Sequence, residues 1–521
     1  MPIRPRTRIL LWTALSAVVL VAIAFIALTV TLIHVPAPVE RWLQGRIQLA
    51  LRQHYQADVQ LQNLHVTLIP GFYATADNFV LPNRNAPGFP PLITVRHITV
   101  RAALFELLRT PVHLSWLKLD GLVIQVPPKR EHPAQAPTQK PGRRIHLADF
   151  VIDKVDADGT ELYILRKDAA REPLQFELRK LTLRSAGTGR PMNFAAELTN
   201  PTPPGLIETT GRFGPWVFDE PSATSVGGHY DFQHAELSVF NGISGILSSV
   251  GDYQGVLRNI VVDGTTDVPD FQLDHGGQPV HLTTEFHATV DGTNGNTYLH
   301  PVKAHFLNSD VTTNGEVAGK PGQKGKTITL AVDMQHARVQ DVLTLAAKSD
   351  PPMLTGKLRL KANLDLPPGP DPVLQRMRLS GTFNITDARF TSDRVAYAIT
   401  ALSRRGQGKP DDTSITDVPA DFAGDFSMGD ENLSFSKLDF AVPGAAAQVK
   451  GSYGLQSSKI DFVGDVRLNA TVSQTMKGAM HWVLVPFDPI FMKHGAGTYL
   501  PVAVAGTREH PQITLQWKKI F

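Results

Sequence analysis

The run Val280-His281-Leu282-Thr283-Thr284-Glu285-Phe286-His287-Ala288-Thr289-Val290 decides how this chain reads. Val280, Leu282, Thr284, Phe286, Ala288 and Val290 fall on one parity, and His281, Thr283, Glu285, His287, Thr289 and Asp291 on the other. Side chains of a strand alternate between faces, so the run predicts a β-strand with one apolar face and one wet face. Leu354, Leu358, Leu360, Ala362, Leu364 and Leu366 repeat the pattern, as do Met377, Leu379, Phe383 and Ile385. It returns at Ile460, Phe462, Val466, Leu468, Ala470 and Val472. Such runs reach or exceed the usual upper length of about 10 residues for globular strands. The predicted fold class is therefore mainly β, a long, curved antiparallel sheet with few short helices.

Gly356, Gly381, Gly451 and Gly464 interrupt these strands on the apolar parity. A glycine there either lets the apolar face curl inward or marks a bulge. Something has to cover the apolar face. The helix candidates are Val339–Ala347 and Thr475–Val485, the latter with Met476, Ala479, Met480 and Val483 at helical spacing, and two short helices cannot cover so large a sheet. Three covers remain: a second sheet, a membrane around a barrel, or lipid bound in a groove. The alternation Ile513, Leu515, Trp517, Lys519, Phe521 suits a barrel girdle, but the N-terminal run described next argues against an outer-membrane barrel. In the groove reading Val280, Leu282 and Phe286 line the face, with Leu358, Leu360, Leu364, Leu379 and Phe383 beside them and Phe462, Val466 and Leu468 beyond.

Upstream, Ile9–Ile33 (ILLWTALSAVVLVAIAFIALTVTLI) carries no charge and would span about 37 Å as a helix, enough to cross a membrane with some tilt. Arg4, Arg6 and Arg8 precede it, so residues 1–8 are expected in the cytoplasm and everything after His34 outside it. Ala22-Ile23-Ala24 could serve a signal peptidase, but signal h-regions run only about 7–15 residues. An uncleaved single-pass anchor over 9–33 is the reading adopted. Pro36–Tyr55 reads as an amphipathic helix, expected to cap the first strands. A first β region over 34–126 follows, with alternation from Val59 to Leu68 and short runs at Ile93–Val100, Val112–Leu119 and Leu122–Val126. Residues 127–144 (PPKREHPAQAPTQKPGRR) read as a flexible linker before the groove region, 145–521.

Composition narrows the chemistry. A formal net charge of +3 over 521 residues, with cations dispersed, gives no nucleic-acid footprint. The chain has no cysteine, hence no disulfide framework and no thiolate nucleophile or metal ligand. Asp158-Gly159-Thr160, Asp263-Gly264-Thr265 and Asp291-Gly292-Thr293 read as hairpin turns. Asp156-Ala157-Asp158-Gly159 lacks the further spaced ligands of a calcium loop. His281 and His287 stand about 20 Å apart on one strand and cannot share an ion without a partner strand. No catalytic fingerprint stands in its required context, so neither enzymatic activity nor a cofactor or metal is expected.

Several segments resemble the AsmA-like family: the anchor, Val59-x-Leu61, Leu68-Ile69-Pro70-Gly71, Pro91-Leu92-Ile93-Thr94-Val95 and Leu117-Lys118-Leu119-Asp120-Gly121-Leu122-x-Ile124. Asn200-Pro201 with Gly211-Arg212-Phe213-Gly214-Pro215-Trp216 has related texture. Gly497-Thr498-Tyr499-Leu500-Pro501-Val502 and Ala505-Gly506-Thr507-Arg508-Glu509-His510-Pro511-Gln512-Ile513 continue the likeness. The resemblance implies a bacterial inner-membrane protein with its bulk in the periplasm. It also implies a taco-like β-groove for phospholipid acyl chains and a part in lipid transport and outer-membrane biogenesis. The alternative is a non-enzymatic periplasmic scaffold or regulator that contacts outer-membrane or envelope-assembly proteins. If about 20 strands stack at about 4.8 Å each, the groove extends only about 100 Å, short for spanning an envelope alone.

Overall fold

The computed structural model describes residues 36–55, 58–68, 71–83, 89–106, 112–126, 150–165, 173–187, 190–215, 217, 220–274, 276–320, 325–347, 349–477, 480–492, 497–507 and 510–516. The apolar run 9–33, the Pro-rich segment 127–144 and Trp517–Phe521 lie outside the described residues. No helix among the described residues is long and apolar enough to cross a membrane. Contacts divide the chain into two compact units, Met1–Phe232 with Tyr253–Arg258, and Gln233–Asp252 with Asn259–Phe521.

In the first unit, helix α1 (Ala37–Tyr55) precedes β1 (Gln60–Thr67), β2 (Phe72–Leu81), β3 (Ile93–Ala102), β4 (Val112–Leu114) and β5 (Trp116–Val126). Then follow β6 (Phe150–Asp156), β7 (Thr160–Ile164), β8 (Leu174–Gly187), β9 (Met192–Pro201), β10 (Pro204–Phe213) and β11 (Ser225–Glu236), whose last four residues fall in the second unit. Strands β1, β2, β3 and β5 pair antiparallel in turn. Strand β5 then pairs in parallel with β6 and β7, and β4 with β6. Parallel neighbours cannot share a tight hairpin, because the chain must first travel back along the strand. The parallel pairs place the strands before residue 127 and after residue 149 in the same sheet. The sheet is thus mixed, where the sequence predicts antiparallel pairing.

Helix α1 caps β1. Gln44 and Gln48 both donate Nε2 to the Leu61 carbonyl, at 2.6 and 2.8 Å, and the Glu40 carboxylate accepts the Val66 N–H at 2.9 Å. Leu43 packs on the cluster of Leu61, Leu64, Val66, Ala74 and Ala76. An edge strand with open backbone groups invites another strand, and these three side chains block that approach. Farther on, Asp156 at the end of β6 accepts from Trp116 Nε1 at 2.7 Å and from Thr182 Oγ1 at 3.0 Å, with Lys154 Nζ at 2.7 Å.

The second unit contains β12 (Ile243–Ser244), β13 (Ile246–Val256) except its last four residues, β14 (Asn259–Leu273), β15 (Val280–Val290), β16 (Thr297–Phe306), β17 (Ser309–Ala318), β18 (Thr327–Arg338) and β19 (Leu354–Leu366). It continues with β20 (Arg378–Phe390), β21 (Ala420–Gly429), β22 (Asn432–Val442), β23 (Ala445–Gly454), β24 (Lys459–Leu468), β25 (Thr498–Thr507) and β26 (Pro511–Leu515). From β14 to β26 each strand pairs antiparallel with the next, a single meander. Helix α2 (Val339–Ala346) joins β18 to β19, α3 (Val373–Arg376) joins β19 to β20, and α4 (Asp393–Gly406) joins β20 to β21. Helices α5 (Met480–Leu484) and α6 (Asp488–Phe491) lie between β24 and β25.

In a meander every second connection falls at the same end of the sheet, so α2, α4, α5 and α6 share one end and α3 takes the other. The buried core sits at the helical end. Val280, Phe306, Met334, Leu358, Ile385, Ala420, Val442 and Leu468 all lie towards the strand termini there. Asp341 in α2 ties the helix to the β16–β17 turn by accepting from Asn308 N at 3.0 Å and Ser309 Oγ at 2.8 Å. Ser403 in α4 donates to the Pro443 carbonyl at 2.7 Å.

Four local expectations change. The sequence predicts a helix over Thr475–Val485, but Ser473–Thr475 is a 3-10 turn and the helix begins at Met480. Helix α4 is not anticipated, although Val395, Ile399 and Leu402 carry helical spacing. Asp263-Gly264-Thr265 is no turn: it lies inside β14, where Gly264 faces Phe286 across the pair and Asp263 contacts His287 at 2.6 Å. Strand β24 ends at Leu468, so Ala470 and Val472 leave the alternation. The turns at Gly159, with φ +65°, and at Asp291, whose carboxylate accepts the Thr293 N–H at 2.9 Å, follow the sequence reading.

Candidate functional site

Cross-strand register sorts the apolar face of the second unit into four rows running across the strands. Nearest the helical end, Ala337, Leu358, Ile385, Phe422, Phe440, Ala447, Val466 and Leu500 are successive partners. Next come Met334, Leu360, Phe383, Gly424, Leu438, Val449, Gly464 and Val502. The third row is Val332, Ala362, Gly381, Phe426, Phe435, Gly451, Phe462 and Val504. The fourth is Leu330, Leu364, Leu379, Met428, Leu433, Tyr453, Ile460 and Gly506.

Burial falls along the strands away from the helices. Val342, Leu343 and Leu345 of α2 and Ile399 and Leu402 of α4 cover the first row. Val280, Leu358 and Leu468, expected to line a groove, are 3%, 5% and 6% exposed and belong to this packed core. Leu282, Leu360, Phe383 and Val466 pack against its margin. Phe286, Leu364, Leu379 and Phe462 lie outside that cluster and are half-buried. From Leu360 to Leu366 a strand covers about 20 Å, and the eight strands β18 to β25 span about 34 Å. The half-buried rows thus extend over a stretch of sheet about 20 Å by 34 Å.

An aromatic network occupies this face. Phe383 stands 6.2 Å from Phe426 and 6.1 Å from Phe435, and Phe435 stands 6.0 Å from Phe462, centroid to centroid. Phe390, Phe422 and Phe440 form a second chain at 6.1 and 5.1 Å. Glycine and phenylalanine alternate across the pairs: Gly381 faces Phe426, Gly424 faces Phe383, and Gly451 faces both Phe435 and Phe462. At Gly451 a Cβ would lie 2.0 Å from the Asp461 carbonyl and 2.8 Å from Phe462 Cδ1. The strand is turned so that this direction points into its neighbour, which is a glycine kink, and such kinks increase sheet coiling. Gly381, Gly451 and Gly464 keep their pairing, whereas Gly356, with φ +151°, sits at a register shift. The bulge foreseen for these glycines therefore occurs at Gly356.

The coil is far-reaching within this unit. A Cβ on Gly242, just before β12, would lie 2.9 Å from Val373 Cβ in α3. Strand β12 pairs with β14, which is five strands from β19. A flat sheet would keep strands so placed about 24 Å apart.

Phe426 and Phe435, central to the network, were missed in the sequence. Phe422, Phe426 and Met428 do share a parity, but β22 changes phase between Phe435 and Leu438, where the register shifts. That bulge breaks the alternation that marks the other strands.

The wet face carries charge in cross-strand pairs. His281 contacts Asp267 at 2.5 Å and His305 contacts Asp310 at 2.7 Å, while the His287 and His300 rings are 5.0 Å apart. Among the described residues no group of three or more His, Cys, Asp or Glu side chains could hold a metal ion. Hydrogen bonding to Lys357 holds the Asp387 carboxyl below its ordinary pKa, and Lys437 does the same for Asp439. These exposed pairs arrange surface charge, and no acidic, basic or histidine side chain stands in the four rows. Comparison with family models, curated proteins and solved structures finds no match.

Proposed function

We propose that the protein is anchored in the bacterial inner membrane by residues 9–33, exposes its bulk to the periplasm, and holds phospholipid acyl chains on the apolar rows of the second unit. Its role in this reading is lipid transport in the service of outer-membrane biogenesis. The observation that carries the reading is the broad apolar area beyond α2 and α4, where aromatic and aliphatic side chains stay half-buried along a single sheet. Each methylene that leaves water contributes about 0.8 kcal/mol, so one partly enclosed acyl chain supplies several kcal/mol. The rows offer hydrocarbon contact without hydrogen-bonding specificity, which suits cargo defined by its chains.

Full-length protein purified in a mild detergent, extracted and analysed by mass spectrometry tests this. Wild type should carry phospholipid. Leu364→Asp and Phe462→Asp should lose most of it, and Asn363→Asp, on the wet parity of β19, should keep it. Wild-type protein without lipid, or equal lipid in all variants, would transfer the face to structural packing and favour the scaffold alternative.

A further inference from the structure

Helix α1 has a second face that β1 does not use. Gln44, Gln48 and Glu40 bond to β1 and Leu43 packs on the core beneath. The outward side shows Trp42 at 60% exposure and Val39 and Leu49 at 43% each. At about 100° per residue, Trp42 and Leu49 lie within about 20° of each other and roughly opposite Glu40 and Gln44. Gly45 stands between them in sequence, with nothing within 4 Å of where its Cβ would be.

The charge on this side is positive. Glu40 is the only carboxylate of α1, and its bond from the Val66 N–H turns it towards β1. Arg46 lies 5.6 Å from the centre of the Trp42 ring, and Arg41 donates Nε to the Ala37 carbonyl at 3.4 Å. Neither guanidinium meets a carboxylate among the described residues. Arg52 is answered by Asp58 and adds no free charge.

The covalent chain brings a bilayer to this face. In the proposed topology the apolar run leaves the hydrocarbon at Ile33, and Ala37 opens α1. The intervening chain reaches about 14 Å at most, and the headgroup layer on one side of a bilayer is about 5–8 Å deep. The first turns of α1 are therefore held at or just above the membrane surface.

We infer that the outward face of α1 lies in the headgroup layer of the membrane that holds residues 9–33. Val39, Trp42 and Leu49 insert, and Arg41 and Arg46 meet anionic phospholipid head groups. Tryptophan and leucine flanked by arginines are the composition of an interfacial helix. The inference rests on the proposed anchor and is separate from acyl binding in the rows. The helix then joins sheet and bilayer, closing the β1 edge with one side and resting on lipid with the other.

Absence of cysteine lets a single introduced thiol report one position. Full-length protein carrying a nitroxide on Gly45→Cys, Leu49→Cys, Ser16→Cys or Lys180→Cys is placed in nanodiscs of phosphatidylethanolamine and phosphatidylglycerol. Lys180 is exposed on β8, five strands and about 24 Å from β1. Power saturation compares collisions with oxygen, which dissolves in hydrocarbon, and with a water-soluble nickel chelate. The oxygen-to-nickel ratio at Gly45 and Leu49 should exceed that at Lys180 by about fivefold or more. Trp42→Asp should return the Leu49 ratio towards that of Lys180. Arg41→Glu with Arg46→Glu, or phosphatidylcholine in place of phosphatidylglycerol, should lower it by about twofold. Water-like ratios at Gly45 and Leu49 with a hydrocarbon-like ratio at Ser16 leave the anchor standing and overturn the inference. Water-like ratios at all three overturn the anchor and the inference with it. A Leu49 ratio equal to that at Lys180, or indifferent to Trp42→Asp with an intact circular dichroism spectrum, also overturns the inference, and indifference to both charge changes overturns its anionic assignment.

Discussion

Replacing Gly451 by alanine adds one methyl group where β23 comes closest to β24. Its Cβ would meet the Asp461 carbonyl at 2.0 Å, Phe462 Cα at 2.6 Å and Phe462 Cδ1 at 2.8 Å. Two of these atoms are backbone, so no rotamer change relieves the contact and the strands themselves must part. Overpacking of this kind costs about 1–3 kcal/mol. Displacing Phe462 also loosens its contact with Phe435, worth roughly 0.5–1.5 kcal/mol beyond burial. The expected loss for Gly451→Ala is therefore about 2–4 kcal/mol, near the upper half of single-substitution effects. Gly429→Ala is the matched control, because nothing lies within 4 Å of a Cβ there. It should leave stability unchanged or raise it by about 0.4–1 kcal/mol through the unfolded chain. Urea unfolding of the full-length protein followed by circular dichroism measures both. Equal midpoints for the two variants would refute the claim that the glycine kink is a steric necessity of the coiled sheet.

Other outcomes follow from particular side chains. Leu358→Ala, beneath α2, should cost about 2–5 kcal/mol, whereas Leu364→Ala in the fourth row should cost about half as much or less, as read from urea midpoints. Asp156 titrates with a sign that can be worked out. Burial opposes its ionisation, yet hydrogen bonds from Lys154, Trp116 and Thr182 outweigh that and leave its pKa below the ordinary 3.8. Its stabilising contribution is then complete above that value and disappears as pH falls through the lower folded-state pKa. The stability gap between wild type and Asp156→Asn should accordingly be larger at pH 6 than at pH 2.5, and a gap independent of pH would contradict this. Removing Gln44 and Gln48 together should expose the Leu61 edge and raise self-association in sedimentation velocity, while an unchanged monomer fraction would show that α1 does not guard the edge.

The sequence displayed the strand parity of β15, β19 and β24, and of β20 as far as Ile385, because each keeps one alternation there with polar residues opposite. Helix α1 and helix α2 were legible for the corresponding reason at helical period. Strand β22 was not, since its bulge shifts phase between Phe435 and Leu438 and hides half the aromatic network. Asp263-Gly264 misled because the pair that makes a hairpin turn also lets a mid-strand glycine face Phe286. Parity told which side chains share a face but not where along a strand the cover ends. That depends on α4, a helix from a distant stretch of chain, so Val280, Leu358 and Leu468 could not be separated from Phe286, Leu364, Leu379 and Phe462 by pattern. The parallel pairs of β5 were equally invisible, since short apolar strands read alike in either direction.

Photo-crosslinking to lipid in living cells tests the central claim most directly. A photoreactive phenylalanine analogue is placed in turn at Leu379, Ser380, Asp461 and Phe462, and adducts are identified by mass spectrometry. The account predicts phospholipid adducts at Leu379 and Phe462 and none at Ser380 and Asp461, a yield alternating with strand parity. Adducts absent from both apolar positions, or equal at all four, would contradict a face that holds acyl chains.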